Sequence, residues 1–427
     1  MTGPYAVAFR TLGCKVNQVE SEAMAAQLLG SACTITAEED ARVVVVNTCT
    51  VTGEADRKAR KEVRRALRLP NEPVVVVTGC LATLDAEGLR ALGSRAVIEA
   101  DKTAVAARVA AILGVGAETA ARGATPGATT GATIAPRVGG AFHTRAMVKV
   151  EDGCDAYCAY CIVPYARGAS RSMPLSDVVA EVEALVAAGT AEVVLTGINI
   201  GRYRDGSADL ADLVHAVAGT GVPRIRLSSI EPLDVPGRLL EVLASTPAAC
   251  PHLHVPLQSG CDRVLKAMDR GYDTRTFSEV LAEARDAIPG LALTTDVLVG
   301  FPGESPAEAH EARTFVEGCG FMRLHVFRYS ARPGTIAAEM PGQVDPRDRA
   351  SRAERMRETG ARLGAAYAAS RVGGMARVLV ERTDGTTAEG TSEDYLRVRF
   401  PARDSRIGDV VAVAVGGLGR GHVTGRW

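Results

Sequence analysis

The chain has 427 residues, of which 47% are hydrophobic, and its formal net charge is −1. This length suggests about three domains, and the apolar content is enough to build their cores. No apolar run approaches the roughly 20 residues that span a bilayer, and the N-terminus lacks a secretory pattern. These features argue against a membrane-spanning or exported protein. Ten cysteines without such a signal predict a reducing, cytoplasmic environment.

The first segment, residues 1–113, repeats one pattern three times. An apolar, β-branched run ends each time in a cysteine, namely Cys14, Cys49 and Cys80. Helical patterns follow these runs over residues 21–29, 54–69 and 85–92. Strands that alternate with helices in this way predict a parallel α/β sheet.

The three strand-end cysteines are expected to meet, because ligands of parallel sheets bind at the edge formed by the carboxyl ends of the strands. We therefore predict an iron–sulfur site with Cys14, Cys49 and Cys80 as its ligands. The alternative is three unrelated buried thiols. Cys33, which follows no predicted strand, shows that cysteines also occur outside this pattern.

The helix predicted after Cys49 is strongly basic. Residues 56–68 hold seven Lys or Arg against two acidic residues. Such a run is either a solvated helix face or a nucleic-acid contact. The candidates for a contact with RNA are Arg57, Lys58, Lys61 and Arg64. Farther along, residues 114–140 are rich in Gly, Ala and Thr, which predicts a flexible linker and a domain boundary.

A second cysteine cluster follows the linker. Cys154, Cys158 and Cys161 form a C-x3-C-x2-C pattern. A [4Fe–4S] cluster normally takes four cysteines, so three ligands would leave one iron open for chemistry. A zinc site is disfavoured because no second ligand pair follows. A disulfide is disfavoured by the odd number of cysteines and the missing export signal.

The second segment, residues 141–345, again alternates strands and helices. Six predicted strands fit a partial barrel, because a full eight-unit barrel would need about 250 residues. The cysteine loop follows the first strand at its carboxyl end, where barrel active sites form. Three histidines on the predicted strands, which we interpret as core or pocket-lining residues, are His252, His254 and His325.

The third segment begins with a predicted helix over residues 346–370. Four short strands within residues 371–427 then predict a small antiparallel β-barrel. From residue 347 to the end of the chain there are fifteen Arg against ten acidic residues. Arg397 and Arg399 are therefore candidates for contacts with RNA phosphates.

The whole chain resembles the radical S-adenosylmethionine (radical SAM) methylthiotransferases. The stretches that carry the resemblance are Thr11-Leu-Gly-Cys-Lys-Val-Asn-Gln18, Asn47-Thr-Cys-Thr-Val-Thr52, Leu227-Ser-Ser-Ile-Glu-Pro232, His254-Val-Pro-Leu-Gln-Ser-Gly260 and Asp296-Val-Leu-Val-Gly-Phe-Pro-Gly-Glu304. The resemblance implies an N-terminal α/β domain, a partial (β/α)6 radical SAM barrel and a C-terminal TRAM-like β-barrel.

Within this family the stretch from Lys15 to Gln18 is similar to the MtaB type. This similarity implies that the substrate is N6-threonylcarbamoyladenosine at position 37, in the anticodon stem-loop of tRNA. Other members act on isopentenyladenosine or on a ribosomal protein, and both substrates stay open as alternatives. A non-catalytic iron–sulfur protein that binds RNA is a further alternative, disfavoured because both cysteine sites lack a fourth ligand.

The resemblance also implies the cofactors, two [4Fe–4S] clusters and SAM. The cluster on Cys154, Cys158 and Cys161 would cleave SAM to a radical that abstracts hydrogen from adenosine C2. The cluster on the other three cysteines would carry the sulfur, and a second SAM would supply the methyl group. An electron donor such as flavodoxin or ferredoxin and a sulfur source are implied as partners.

The resemblance also implies several residues as SAM contacts, on motifs that are less specific than the cysteine patterns. They are Tyr160 beside the third ligand, Thr196, Gly197 and Asn199 at a strand end, Glu231, and Gly300 with Glu304 in a glycine-containing loop. Glu231 has an alternative role as an ion-pair partner of Arg226. The family often has Arg-Ser-Arg-Pro after the cysteine loop, whereas this chain has Arg171-Ser-Met-Pro174. Three further cysteines, interpreted as structural, are Cys250, Cys261 and Cys319.

Overall fold

The computed structural model describes residues 5–31, 33–115 and 144–427, which form two compact units. The first unit contains the described residues up to 115 together with Asp152–Asp155 and Cys161–Ser170. The second unit contains the rest of the described chain. Beyond residue 115, the linker predicted at 114–140 lies outside the described residues.

A five-stranded parallel sheet forms the centre of the first unit, in the order β2-β1-β3-β4-β5. Its strands are β1 (Ala6–Thr11), β2 (Thr34–Ile35), β3 (Val43–Thr48), β4 (Val74–Gly79) and β5 (Ala96–Ile98). The helices of this unit are α1 (Lys15–Gly30), α2 (Gly53–Leu67), α3 (Cys80–Leu84), α4 (Ala86–Arg90), α5 (Val105–Leu113) and α6 (Val163–Arg167), with a 3-10 turn at Glu38–Asp40.

Valine-rich strands suit this sheet because helices cover both of its faces. On one face, Val43 and Val45 of β3 pack in a cluster with residues of α1 and α5. On the other face, Val44 and Val46 pack with residues of α2 and α4. The prediction of a parallel α/β sheet is therefore confirmed. Helix α1 begins at Lys15, earlier than predicted, directly after Cys14, whose backbone is extended.

The second unit begins with six parallel strands, β6 (Arg145–Lys149), β9 (Glu192–Thr196), β12 (Arg224–Leu227), β13 (His252–His254), β14 (Ala292–Val299) and β15 (Arg323–Arg328). They form two ladders, β12-β9-β6 and β13-β14-β15. Parallel bridges between Ile225 and Ala249 and between Ser229 and His254 link the ladders. The described strands thus make the six-unit partial barrel that the sequence predicted.

Helices connect and cover these strands: α7 (Leu175–Ala187), α8 (Leu210–Gly219), α9 (Gly237–Ser245), α10 (Asp262–Ala267), α11 (Thr274–Ala287), α12 (Pro306–Gly318), α13 (Ile336–Glu339) and α14 (Pro346–Ser370). Shorter elements are β7 (Glu151–Asp152), β8 (Arg171–Ser172), β10 (Arg204–Asp205), β11 (Ala208–Asp209) and 3-10 turns at Ile200–Arg202 and Pro232–Asp234. The outer faces of the strands and the helices bury one large apolar core, which includes Leu195, Leu253 and Phe277.

The chain ends in a closed barrel, in the order β16-β17-β18-β20-β19. Its strands are β16 (Met375–Thr383), β17 (Thr387–Ser392), β18 (Arg397–Pro401), β19 (Val410–Gly419) and β20 (His422–Arg426). Only four of them were predicted, and the fifth, β20, closes the barrel by pairing with both β18 and β19. None of the helices described here combines the length and hydropathy that a bilayer crossing requires.

Candidate functional site

Three turns at the carboxyl edge of the first sheet carry Cys14, Cys49 and Cys80. Cys14 lies between β1 and α1, Cys49 follows β3, and Cys80 follows β4 as the first residue of α3. Cys49 and Cys80 are buried, whereas Cys14 is exposed. Burial raises the pKa of Cys49 to about 11, and both other thiols add to this rise. The fold therefore gathers three thiols from distant positions in the sequence.

Tight packing between the turns fixes this arrangement. Gly13 has a φ of +102°, and a Cβ atom there would lie 2.6 Å from Cβ of Cys49. Asn17 Nδ2 donates to Asn47 Oδ1 at 3.1 Å and to the Thr48 carbonyl at 3.0 Å. Because these two asparagines are fully buried, their hydrogen bonds hold the turn after β1 against the end of β3.

A buried guanidinium, that of Arg167 in α6, lies beside these thiols. It donates to Asn17 Oδ1 at 2.7 Å, to Glu20 Oε1 at 2.9 Å and to Asp152 Oδ1 at 2.7 Å. Although burial alone would lower its pKa, the nearby Cys80, Glu20 and Asp152 raise it. The positive charge of Arg167 in turn opposes the rise in the pKa of Cys80 that burial causes. Arg167 thus offsets part of the effect of burial, which raises the pKa of both Cys49 and Cys80.

The second cysteine cluster lies in one loop that contributes to both units. The Cys154 N–H donates to the Gly168 carbonyl at 3.0 Å within the first unit. In the second unit, Cys158 is buried and its Sγ accepts from Arg270 Nη1 at 3.1 Å. The positive charge of Arg270 therefore lies next to the sulfur of Cys158.

Arg270 is the centre of a polar group around Cys158. Its Nη2 forms an ion pair with Glu231, and its Nε donates to Tyr272 Oη at 3.0 Å. Burial alone would lower the pKa of Arg270, but Tyr160, Glu231, Tyr272 and Cys158 raise it. Glu231 therefore has a different partner from the one considered in the sequence. Arg226 instead contacts Glu192 at 3.0 Å, so the pairing of Glu231 with Arg226 was wrong.

The strand-end loop after β9 is held by a buried carboxylate. Glu151 Oε2 accepts from the N–H groups of Ile198 at 2.7 Å and Asn199 at 2.9 Å. A Cβ atom at Gly197 would lie 2.8 Å from the same oxygen, so only glycine fits this close approach. Thr196 is buried at the end of β9. The Asn199 Nδ2 donates to Asp234 Oδ2 at 2.7 Å.

The loop that follows β14 is organised by Glu304. Its Oε2 accepts from the Gly300 N–H at 2.9 Å, while its Oε1 accepts from Arg352 Nη1 at 2.7 Å. Gly300 has a φ of +75°, which favours glycine. The side chain of Glu304 thus shapes the loop by binding the loop's backbone, which makes Glu304 a positioning group in the described structure.

The basic residues predicted on α2 form an exposed face. Arg57, Lys58, Lys61 and Arg64 are all exposed, whereas Arg60 pairs with Asp85 and Arg65 pairs with Glu62. On the C-terminal barrel, Arg397 and Arg399 are exposed neighbours on β18. Arg397 also lies 3.3 Å from Glu389, which partly neutralises it.

Comparison with known proteins gives the family. Residues 148–316 match the radical SAM superfamily, and residues 6–98 match the uncharacterized protein family UPF0004. The threonylcarbamoyladenosine tRNA methylthiotransferase MtaB of Bacillus subtilis is 36% identical over 96% of this chain and 93% of that protein. The chain belongs to the radical SAM methylthiotransferase family.

Further relatives of this methylthiotransferase differ in the adenosine that they modify. The MtaB of Thermotoga maritima is 34% identical, over 96% of this chain and 94% of that protein. A tRNA-2-methylthio-N(6)-dimethylallyladenosine synthase of Methylococcus capsulatus is 33% identical, over 96% of this chain and 93% of that protein. Family membership gives this methylthiotransferase its cofactors, SAM and [4Fe–4S] clusters.

Solved structures support the fold alone. The radical S-adenosylmethionine methyltransferase TsrM of Kitasatospora setae has a TM-score of 0.55 and is 15% identical, covering 78% of this chain and 75% of that chain.

Three positioning residues of this methylthiotransferase were not predicted: Glu151, Arg167 and Arg270. A charge next to the cysteine loop is a signal for the first two, whereas no sequence pattern distinguishes Arg270.

Proposed function

We propose that this protein attaches a methylthio group to C2 of N6-threonylcarbamoyladenosine at position 37 of tRNA. The observation that carries the proposal is that three relatives named for this substrate are 34%, 35% and 36% identical over at least 91% of the chain. Relatives named for dimethylallyladenosine are 33% to 35% identical, so this second adenosine is the alternative substrate.

The two cysteine sites are proposed to hold the clusters. Both offer three thiols, and a basic guanidinium lies beside each site, Arg167 at the first and Arg270 at the second. This donor set fits an iron–sulfur cluster with one open iron. The bound groups would supply radical formation from SAM at the Cys154 loop and the sulfur at the Cys14 site.

The remaining site residues are proposed to position SAM and to exclude water from it. Glu151 fixes the loop of Thr196, Gly197 and Asn199, and Glu304 fixes the loop at Gly300, so that backbone groups would face SAM. Tyr160 and Glu231 act together with Arg270. Their placement in a barrel near Cys158 supports a role in binding SAM rather than in packing alone.

An RNA surface is proposed on two elements. Helix α2, which carries the exposed basic face, begins four residues after Cys49, and Arg397 with Arg399 would add contacts from the TRAM-like barrel. Such residues would hold phosphates of the anticodon stem-loop and orient the RNA without reading its sequence.

We propose the domain limits 1–113 for the N-terminal domain, 141–345 for the radical SAM barrel, 346–370 for the connecting helix and 371–427 for the TRAM-like barrel. A tRNA substrate supports a cytoplasmic location, with flavodoxin or ferredoxin as electron donor and a separate sulfur source.

Mass spectrometry of tRNA nucleosides from a deletion strain tests the proposal. We expect the strain to lose the 2-methylthio form and to accumulate N6-threonylcarbamoyladenosine. Complementation with Cys33→Ala should restore the modified nucleoside, whereas Cys80→Ala should not, although both thiols are buried in the same unit. Accumulation of isopentenyladenosine would instead identify the alternative substrate, and an unchanged nucleoside profile would remove tRNA as the substrate.

A further inference from the structure

The edge strand β15 exposes three side chains in a row. Its burial alternates, so that Leu324 and Val326 pack against the core while Arg323, His325 and Phe327 are exposed. Helix α14 covers the packed face, where a Cβ atom at Gly360 would lie 3.1 Å from Leu324. The three exposed residues therefore belong to the opposite face, which we call the inner face of β15.

A hydrogen-bonded cluster supports the middle of this inner face. In the register of the sheet, Asp296 of β14 lies opposite His325. Asp296 Oδ1 is 3.1 Å from His325 Nδ1 and 3.2 Å from His254 Nε2, and the two imidazole rings stack at 5.3 Å. Burial of Asp296 opposes ionisation, but these hydrogen bonds lower its pKa. Because Nδ1 of His325 is engaged, its Nε2 is the nitrogen left to meet a ligand.

A cation without an anionic partner lies at the start of the same face. The structure shows no hydrogen bond or ion pair for the Arg323 guanidinium within the described ranges. Partial desolvation lowers the pKa of Arg323, the neighbouring Tyr395 opposes this change, and the nearby charge of Arg397 lowers the pKa further. Glu389 pairs with Arg397 and not with Arg323. The two neighbouring positive charges therefore favour the binding of an anion beside Arg323.

The inner face is also connected with the Cys158 group. Asp296 acts on the ionisation of Glu231, and Glu231 forms an ion pair with Arg270, which donates to Cys158 Sγ at 3.1 Å. Phe327 lies at the carboxyl end of β15, the end at which barrel chemistry takes place. The inner face of β15 therefore extends from the carboxyl end of the barrel, where the chemistry takes place, towards the amino end.

We propose that the inner face of β15 receives the modified adenosine, with the base against Phe327 and its anionic N6 substituent towards His325 and Arg323. This inference rests on the proposed function and identifies the residues that select its substrate. An aromatic ring stacks on any base, whereas a cation and a hydrogen-bonding imidazole prefer a substituent with a carboxylate. An apolar dimethylallyl group would leave these polar groups unpaired, which is an effective way to reject a substrate.

The spacing along the strand matches such a ligand. Alternate residues of a strand are about 7 Å apart, so His325 lies one step, and Arg323 two steps, below Phe327. A threonylcarbamoyl group extends from N6 to its carboxylate over about one such step. The flexible side chain of Arg323 would cover the second step to reach that carboxylate.

Binding of three stem-loop RNAs to the holoenzyme tests the proposal. The RNAs share one sequence and carry adenosine, isopentenyladenosine or threonylcarbamoyladenosine at position 37, and their phosphates are therefore identical. We expect Arg323→Gln to weaken binding of the threonylcarbamoyl RNA by roughly 10- to 100-fold, the loss of a charge-assisted hydrogen bond. The other two RNAs should bind as before. Arg323→Lys should retain part of the selectivity, and Arg275→Gln, at a side chain that is 83% exposed on α11, is the matched control.

Phe327 gives an independent measurement. Phe327→Ala should weaken binding of all three RNAs, because every base offers a face for stacking, and Phe327→Tyr should restore it. Equal losses for all three RNAs in Arg323→Gln would assign this arginine to a phosphate and overturn the proposal, as would no loss for any. The product formed by the unmodified enzyme separates this result from the proposed function. If that enzyme methylthiolates only the isopentenyl RNA, the function fails whatever Arg323 binds.

Discussion

At the scale of single residues, Arg167 links several polar groups near the first cysteine site. Its buried guanidinium meets two carboxylates, Glu20 and Asp152, and the amide of Asn17. Asn17 in turn accepts from Cys14 Sγ at 3.3 Å. Arg167 is therefore a positioning residue that joins the turn after β1 with the residues before Cys154.

Replacing this arginine tests its role. Arg167→Met should lower the free energy of unfolding by about 3 kcal/mol, because it removes a buried cation from Asp152 and leaves Glu20 with Lys102 alone. Chemical denaturation measures this loss, and iron content after reconstitution reports the positioning role. Arg90→Met, at an exposed position in the same unit, should change neither quantity. A stable Arg167→Met protein with full iron content would show that the cysteine turns are held by other contacts.

Sequence reasoning located the two groups of three cysteines more readily than the residues that support them. Cysteines at strand ends and in one short loop form patterns that can be read directly. Arg270 acts through Glu231 and Cys158, which are distant in the sequence and meet only after the barrel has formed. Its residue type and its neighbours carry no sign of this role, so only the tertiary structure reveals it.

At the scale of elements, helix α2 separates two kinds of basic residue. Arg60 and Arg65, which pair with acids, are half-buried, and the exposed ones follow one helical face. We expect Lys61→Gln to lower the slope of log affinity for the stem-loop against log salt concentration by about 0.7 to 0.9. The double change Lys61→Gln and Arg64→Gln should lower it by twice as much. Filter binding over a salt series measures the slope, and Arg275→Gln should leave it unchanged.

If the α2 substitutions leave the salt slope unchanged, the basic face of this helix is a solvated surface and not an RNA contact.

The elements that could be predicted from the sequence share a physical property with α2, a strong pattern of residue types. The valine-rich strands have it, whereas β20, His422–Arg426, alternates small and polar residues. Its strand conformation comes from closure of the barrel by β18 and β19, which local propensity does not specify.

At the scale of the whole second unit, buried ions attach the C-terminal barrel to the six-stranded barrel. Glu192 pairs with Arg224 at 2.9 Å and with Arg226 at 3.0 Å. Arg226 also donates to the carbonyls of Ser392 at 3.1 Å and Glu393 at 2.8 Å. Its guanidinium lies 3.8 Å from the ring centre of Tyr395. Arg226 therefore contacts three residues of the C-terminal barrel, and an ion pair between Arg145 and Glu381 adds to the attachment.

Removing that arginine should loosen the attachment. Arg226→Met leaves two carbonyls without a donor, and we expect the chain to become sensitive to protease between α14 and β16. Mass spectrometry of the fragments locates the cleavage, and Arg382→Met, an exposed position on β16, serves as the control. A variant as resistant as the parent protein would mean that the remaining contacts suffice.

The distribution of the cysteines also sets an order of assembly during synthesis. Cys154, Cys158 and Cys161 share one loop, so a short stretch of nascent chain already brings its thiols together. Cys14, Cys49 and Cys80 meet only when β1, β3 and β4 have paired, and closing such long loops is costly before the sheet exists. A cluster on these three residues, as we propose, would have to be inserted after β1, β3 and β4 have paired. Its insertion would then require a folded sheet rather than an extended chain.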